Sequence, residues 1–140
     1  MAVQDGEPAL RAFLDTNVLV RHVTGDPPAQ ARRATALLAS SSELILVDLV
    51  VAEFVCVLAS FYELPRSRIA EAVRALIALP SIAVADHDLV LRTVELYEDR
   101  RLDFAEAYLA AAAELTGVER VASFDRTLDR VDTIERIETA

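Results

Sequence analysis

Apolar residues along the chain form short continuous runs that alternate with longer stretches of helical spacing. The runs at 10–14, 43–47, 81–85 and 118–123 predict four strands, and 134–137 is a candidate fifth. The helically spaced stretches predict helices at 18–23, 29–39, 49–62, 66–79, 87–99 and 103–115. Residues 1–9 follow neither pattern and are expected to form a flexible lead-in.

The order of these elements indicates an α/β protein. Strands that alternate with helices predict a parallel sheet with helices on both faces. The predicted strands are almost continuously apolar, as burial on both faces requires. With 140 residues, the chain is expected to form a single domain over 1–140, with three α/β/α layers around four to five parallel strands.

Turn and cap residues mark where several helices begin and end. Asp48 and Asp86 precede apolar helices and are predicted N-caps, whereas Gly117 is a predicted C-terminal stop. Cys56 lies between valines in the predicted helix 49–62, and we expect it in the core. As the single cysteine, it excludes an internal disulfide.

Acidic residues stand at the ends of apolar segments. Asp15 follows the first predicted strand and Asp125 follows the fourth, so both are expected at the carboxyl edge of the sheet. Glu53 and Glu106 lie in helices that could lean over that edge. Carboxylates in apolar surroundings are costly unless a cation neutralises them, and a hard divalent metal is a natural one. Asn17 is expected to hold the Asp15 carboxylate, and Ser123 that of Asp125.

Each acid also has a simpler interpretation. Asp15 and Asp125 precede predicted helical turns, where Asp is a favoured N-cap. Asp103 and Glu106 have the spacing of a capping box. Glu53 is expected to be at least partly buried, and an arginine is an alternative partner for it.

Composition narrows the classes of site. All 14 basic residues are arginine, so a Walker P-loop, which needs lysine, is excluded. The absence of lysine also disfavours receiver domains and phosphatases of the haloacid-dehalogenase type. The net charge of −9 argues against broad attraction to nucleic acid. Local arginines such as Arg21, Arg100, Arg101 and Arg126 would then have to contact a polyanion.

Four segments resemble the acidic motifs of PIN-domain ribonucleases, in particular the VapC-type toxins of type II toxin–antitoxin systems. They are FLDTNVLVR at 13–21, VAEFVCVL at 51–58, DFAEAYLAA at 103–111 and ASFDRTL at 122–128. The resemblance runs from about Leu10 to Val131 and keeps the order and spacing of the motifs.

The resemblance implies a PIN-like fold and an endoribonuclease that uses Mg²⁺ or Mn²⁺ to activate water for phosphodiester cleavage. Glu106 departs from the family pattern, which usually has Asp there, and Asp103, one turn earlier, is an additional candidate ligand. The implied catalytic and metal-binding acids are Asp15, Glu53, Glu106 and Asp125, with Asp103 as a further ligand and Thr16, Asn17 and Ser123 in support.

The resemblance also implies partners. These are an RNA substrate, a cognate VapB-like antitoxin and a second copy of the chain in a homodimer. No run of 18 uncharged apolar residues occurs, so we expect a cytoplasmic protein that does not enter membranes. A degenerate PIN domain that acts as an RNA-binding or scaffolding module is the alternative, and Glu106 favours it. A haloacid-dehalogenase-like phosphatase is a remote third, since it would need a second Asp where Asn17 stands.

Overall fold

Short strands and longer helices alternate along the chain. A computed structural model describes residues 10–138, so the expected lead-in at 1–9 lies outside the described residues. The strands are β1 (Arg11–Phe13), β2 (Glu43–Ile45), β3 (Ile82–Ala83), β4 (Arg120–Ala122) and β5 (Glu135–Ile137). The helices are α1 (Thr16–Thr24), α2 (Pro28–Leu38), α3 (Asp48–Ser60), α4 (Arg66–Ile77), α5 (His87–Asp99) and α6 (Phe104–Thr116), and a 3₁₀ helix spans Arg126–Arg130.

Local capping chemistry explains several of these boundaries. The carboxylate of Asp86 accepts a hydrogen bond from the Leu89 N–H at 3.0 Å, so the predicted cap of α5 is confirmed. Gly25 and Gly117 end α1 and α6 in the left-handed conformation, which glycine adopts without steric cost. The prediction for Asp48 is wrong, because α3 begins at Asp48 itself and Val47 is the N-cap residue.

The chain folds as two compact units, the first ending at Ala85 and the second beginning at Asp86. In unit 1, β2 lies between β1 and β3, and both strand pairs are parallel. Helices α1 and α2 connect β1 to β2, and α3 and α4 connect β2 to β3. Parallel neighbours require such crossover connections, because a short turn cannot return the chain to the same end of the sheet.

Unit 2 contains the helix pair α5 and α6 and a second parallel strand pair. β4 pairs with β5 in the register Val121 to Arg136, and the 3₁₀ helix forms the connection between these strands. The α/β class and the parallel strand pairing that the sequence predicted are confirmed. The hydrogen bonds between strands group β1, β2 and β3 into one sheet and β4 and β5 into a second.

Each unit buries its own set of apolar side chains. The residues that are almost completely buried in unit 1 include Leu19, Leu44, Phe54, Leu58 and Ile69, and those in unit 2 include Val94, Leu96, Leu102, Ala110 and Leu128. Among the described residues, no helix has the length and apolar character needed to span a membrane.

Candidate functional site

The carboxyl edge of the unit 1 sheet presents Asp15. The Leu14 N–H donates to the Ile45 carbonyl at 2.9 Å, which continues the β1–β2 ladder by one residue, and Asp15 follows directly as the N-cap residue of α1. The Asp15 side chain makes no cap hydrogen bond, so the interpretation of this residue as a side-chain cap is wrong. Within residues 10–138 this exposed carboxylate has neither a hydrogen bond nor an ion pair.

Glu53 is the sixth residue of α3, and its side chain is exposed. The prediction that it is partly buried is wrong, because α3 turns a different face inward. That inward face consists of Val51, Phe54, Val55 and Leu58. No arginine pairs with Glu53 among the described residues, so the alternative of an arginine partner is not supported.

Cys56 is exposed as well, which contradicts the prediction of a core cysteine. Leu49, Glu53 and Cys56 follow a spacing of four and three residues, so they share the exposed side of α3. The exposed side of α3 could not be predicted from the sequence, because the helix is apolar on nearly every face. Residue type alone therefore did not distinguish inward positions from outward ones.

Thr16 and Asn17 follow Asp15 at the start of α1. Thr16 is only 4% exposed, and its hydroxyl Oγ1 is buried without a hydrogen-bond partner in the described part of the chain. A buried hydroxyl that lacks a partner costs roughly 1–3 kcal/mol. Asn17 is exposed, and within residues 10–138 its amide makes no hydrogen bond to Asp15.

In unit 2, Asp125 caps the 3₁₀ helix. Its Oδ1 accepts hydrogen bonds from the Thr127 N–H at 3.0 Å and from the Thr127 hydroxyl at 2.8 Å. These two bonds lower the pKa of Asp125, and the bond from the Thr127 backbone has the larger effect. The charges of Arg130 and Arg136 act in the same direction. The cap interpretation of Asp125 is therefore confirmed. The prediction that Ser123 holds the Asp125 carboxylate is wrong for the described residues, because its Oγ accepts the backbone N–H of Asp125 at 2.9 Å instead.

Glu106 and Asp103 stand at the start of α6. Asp103 occupies the N-cap position without making a side-chain cap hydrogen bond, so the proposed capping box is not formed. Glu106 lies in the first turn and is half-buried. Its carboxylate has no hydrogen bond or ion pair in the described chain.

Arg130 connects the two acidic segments of unit 2, a role that sequence analysis missed. Its guanidinium donates to the carbonyl oxygens of Arg100 and Arg101, at 3.3 and 2.9 Å. Arg101 has a positive φ of 57°, so the loop before α6 turns in a conformation that few non-glycine residues adopt. The bonds hold this loop against the 3₁₀ helix that follows Asp125. The bonded residues lie 30 and 29 positions apart in the sequence, so no local sequence pattern could reveal these contacts.

The donor set has the right chemistry for a divalent ion. All of the predicted ligands are carboxylates, the hard oxygen donors that Mg²⁺ prefers, and Asp15, Glu53 and Glu106 are not neutralised by a described cation. Within residues 10–138, no three His, Cys, Asp or Glu side chains are grouped so that they could hold a metal. A single centre built from Asp15, Glu53, Asp103, Glu106 and Asp125 therefore stays a prediction.

Comparison with known proteins assigns the family. The model of the PIN domain matches residues 12–134, a span that contains all of the predicted site residues. The chain belongs to the PIN domain family. This membership confirms the PIN-like fold that the four sequence motifs implied. PIN domains are generally nucleases, and they generally use divalent metal ions.

Among solved structures, this PIN domain is similar to a chain in the crystal structure of VapBC2 from Rickettsia felis bound to a DNA fragment from their promoter. The two chains are 12% identical with a TM-score of 0.38, and the likeness covers 92% of this chain and 98% of that chain. No curated protein matches the chain. The family assignment therefore rests on the PIN model.

Proposed function

We propose that this PIN domain is a Mg²⁺- or Mn²⁺-dependent endoribonuclease that hydrolyses RNA phosphodiester bonds. The observation that carries the proposal is the PIN match over residues 12–134, a span that contains the acids of all four motifs. The catalytic acids are Asp15, Glu53, Glu106 and Asp125, with Asp103 as an additional ligand and Thr16, Asn17 and Ser123 in support.

Asp15 and Glu53 are well suited to bind a cation. Both carboxylates are exposed and unpaired in the described chain, so neither has to give up a protein partner in order to coordinate an ion. Mg²⁺ keeps several of its waters and is usually held by only one or two carboxylates in addition to substrate phosphate.

Thr16 follows Asp15 directly and places a buried hydroxyl at the start of α1. Its Oγ1 has no hydrogen-bond partner in the described part of the chain, and unpaired buried polar atoms are few in native proteins. A buried water molecule near the start of α1 would satisfy this hydroxyl.

Asp125 contributes a carboxylate whose pKa is lowered by the hydrogen bonds from Thr127, which favours its ionised form. Those bonds use Oδ1, which leaves Oδ2 for a further ligand. Ser123 fixes the backbone at Asp125 and so limits the directions in which the carboxylate can point.

A bound divalent ion would supply a Lewis acid that polarises the phosphate and makes a bound water more acidic. The protein groups hold and orient this charge. No covalent nucleophile is required. His22 has no role in this proposal, because its hydrogen bond with Thr35 joins α1 to α2.

The proposal includes a biological context that follows from the resemblance to VapC-type toxins. We propose that the protein is a toxin that acts in the cytoplasm as a homodimer and is inhibited by a cognate VapB-like antitoxin. Unpaired carboxylates would attract an arginine side chain of such an antitoxin, since a guanidinium matches carboxylate geometry.

A degenerate PIN domain that binds RNA or acts as a scaffold is the second candidate. Two observations favour it: Glu106 stands in place of the usual Asp, and the described residues contain no group of three potential ligands. Calorimetry with millimolar Mn²⁺ distinguishes the two functions, because the scaffold predicts no metal binding.

The test of the nuclease is cleavage of structured RNA with and without Mg²⁺ or Mn²⁺. We expect cleavage that is abolished by a chelator and by Asp15→Asn, with Glu71→Gln as the control because Glu71 is an exposed acid on α4. Metal-independent cleavage, or equal cleavage by Asp15→Asn and the parent, would refute the assignment.

A further inference from the structure

The turn that carries Asp125 in unit 2 has little apolar packing of its own. Val121 and Leu128, on either side of it, are buried, whereas none of the side chains at 122–127 is buried. Phe124, the residue before Asp125, is 77% exposed. The direction of the Asp125 carboxylate therefore depends on polar contacts rather than on burial.

Arg136 of β5 makes contacts on both sides of this turn. Its Nη1 donates to the Ser123 carbonyl oxygen at 3.0 Å, two residues before Asp125. Its Nε and Nη2 donate to the two carboxylate oxygens of Asp129 at 2.9 and 3.2 Å, four residues after Asp125. One guanidinium thus joins the two ends of the segment 123–129, which contains Asp125.

The Arg136 side chain is itself held in place. It is only 12% exposed, and its two bonds to Asp129 have the fork geometry that arginine forms with a carboxylate. These bonds lower the pKa of Asp129. Nη1 also donates to Glu138, so carboxylates restrain the guanidinium on two sides. An exposed arginine would stay mobile, whereas this one can act as a rigid support.

Ser123 transmits the restraint from Arg136 to Asp125. Its N–H donates to the Ile137 carbonyl oxygen at 3.0 Å, and its Oγ accepts the N–H of Asp125 at 2.9 Å. Its carbonyl oxygen is bound by Arg136. The N–H, the carbonyl oxygen and the hydroxyl oxygen of Ser123 are therefore all engaged, and the chain just before Asp125 has little freedom to turn.

We propose that Arg136 is a positioning residue for Asp125. By binding Ser123 and Asp129 together, it holds the Asp125 carboxylate in the direction needed to coordinate a divalent ion, and it contacts neither the ion nor the substrate. Arg136 lies outside the four acidic motifs and beyond the matched residues 12–134. This inference rests on the proposed nuclease function, because it takes Asp125 as a metal ligand.

Charge and position predict opposite effects of Arg136 on metal binding. By charge alone, a guanidinium near Asp125 repels a divalent ion, so its removal should strengthen Mn²⁺ binding. Loss of orientation should weaken Mn²⁺ binding, because the contacts that hold a ligating side chain typically contribute about 10- to 100-fold in affinity. The direction of the change therefore distinguishes the two.

The experiment compares Arg136→Met and Asp129→Ala with Arg120→Met in the full chain. Arg120 is the matched control, because it joins the same two strands through an ion pair with Glu135 in which both side chains are exposed. Asp129→Ala breaks the paired bonds and leaves Arg136 in place, so it replaces Arg136→Met if that variant does not fold. Thermal unfolding establishes which variants are folded.

The first measurement is the order parameter of the Asp125 and Thr127 backbone amides, from NMR relaxation of the metal-free protein. We expect about 0.85 in the parent and less than about 0.6 in Arg136→Met and Asp129→Ala. Arg120→Met should keep the parent values. Equal values in all four proteins would overturn the inference whether or not the protein cleaves RNA, because this measurement requires neither metal nor substrate.

The second measurement is Mn²⁺ binding by calorimetry. We expect Arg136→Met to weaken it by about 10-fold, and to lower kcat for RNA cleavage by a similar factor with KM nearly unchanged. In an Asp125→Asn background, Arg136→Met should have no further effect on Mn²⁺ binding, because its contribution passes through Asp125.

In a parent protein that binds Mn²⁺, unchanged or tighter binding by Arg136→Met would overturn the inference. An equal effect of Arg136→Met with and without Asp125 would overturn it as well. Lower order at Asp125 in Arg136→Met, in a protein that neither binds Mn²⁺ nor cleaves RNA, would support Arg136 as the residue that positions Asp125 and would refute the proposed nuclease.

Discussion

Two helix pairs in this protein are joined by different chemistry. In unit 1, α1 and α2 are joined through Arg21 and Gln30 at 2.9 Å, and through His22 and Thr35 at 2.8 Å. In unit 2, Arg92 of α5 binds both carboxylate oxygens of Glu114 on α6, at 2.6 and 2.8 Å. The first pair uses no carboxylate, whereas the second is built around an ion pair.

The two units differ in whether their charged side chains have an oppositely charged partner. In unit 1, the arginines Arg21 and Arg33 and the acids Asp15 and Glu53 have no oppositely charged partner in the described chain. In unit 2, the hydrogen bonds from Arg92 lower the pKa of Glu114, and the same pairing raises the pKa of Arg92. Substitutions in unit 1 should therefore affect function, and substitutions at the ion pair should affect stability.

The largest expected effect is the loss of RNA cleavage when an acid of unit 1 is substituted. We expect Asp15→Asn and Glu53→Gln each to lower the RNA cleavage rate by at least about 100-fold, because each removes a ligand charge. Since both side chains are exposed, the free energy of unfolding should change by only about 0.5 kcal/mol or less. Cleavage and urea unfolding, measured beside Glu71→Gln, check both parts. A large loss of stability in either variant would contradict the distinction between the units.

The ion pair of unit 2 should give the opposite result. Arg92→Met should destabilise the protein by about 2 kcal/mol, because Glu114 keeps its charge in a mostly buried position and loses two hydrogen bonds. Arg21→Met in unit 1 should cost less than about 1 kcal/mol, since it breaks one exposed bond. Urea unfolding of the two variants provides the comparison, and equal losses would show that the two helix pairs do not differ.

Low pH should weaken the ion pair of unit 2 and leave the contact between Arg21 and Gln30 in unit 1 unchanged. The pKa of Glu114 in the folded protein is below its ordinary value of 4.5, so its contribution to stability is fully present above that pH and is lost as the pH falls further. Arg92→Met should weaken this dependence, whereas Arg21→Met should preserve it. The measurement is the free energy of unfolding between about pH 5 and pH 3. Parallel curves for the parent and Arg92→Met would argue against the ion pair as the source.

The smallest expected effect concerns His22. Burial lowers the pKa of its imidazole from 6.5, so the folded state resists protonation and stability falls as the pH drops below that value. His22→Gln should show a shallower loss of stability between about pH 6.5 and pH 5.5 than the parent. The two titrations by urea unfolding are compared directly, and identical slopes would contradict this role for His22.

Much of the fold could be predicted from local pattern. Helix α5 has the predicted bounds because Asp86 caps it and its apolar residues follow helical spacing. Apolar spacing did not predict the inward face of α3, because its sequence is apolar almost throughout. The outward positions of Glu53 and Cys56 therefore could not be recognised from the sequence.

The candidate site was less accessible to prediction, for a physical reason. Its acids were visible because carboxylates in apolar runs are unusual, but their partners depend on tertiary contacts. Arg130 meets the loop at Arg100 and Arg101, and Arg92 meets Glu114 across 22 positions. The unsatisfied hydroxyl of Thr16 likewise follows from burial, which no local spacing revealed.

The central claim is that Asp15 helps to bind the divalent ion with which this PIN domain cleaves RNA. The most direct test is a crystal structure of the protein with millimolar Mn²⁺, examined by anomalous scattering. We expect an Mn²⁺ ion about 2.0–2.3 Å from an Asp15 carboxylate oxygen, with a second predicted acid among its ligands. Saturating Mn²⁺ that leaves Asp15 without an ion would contradict the claim.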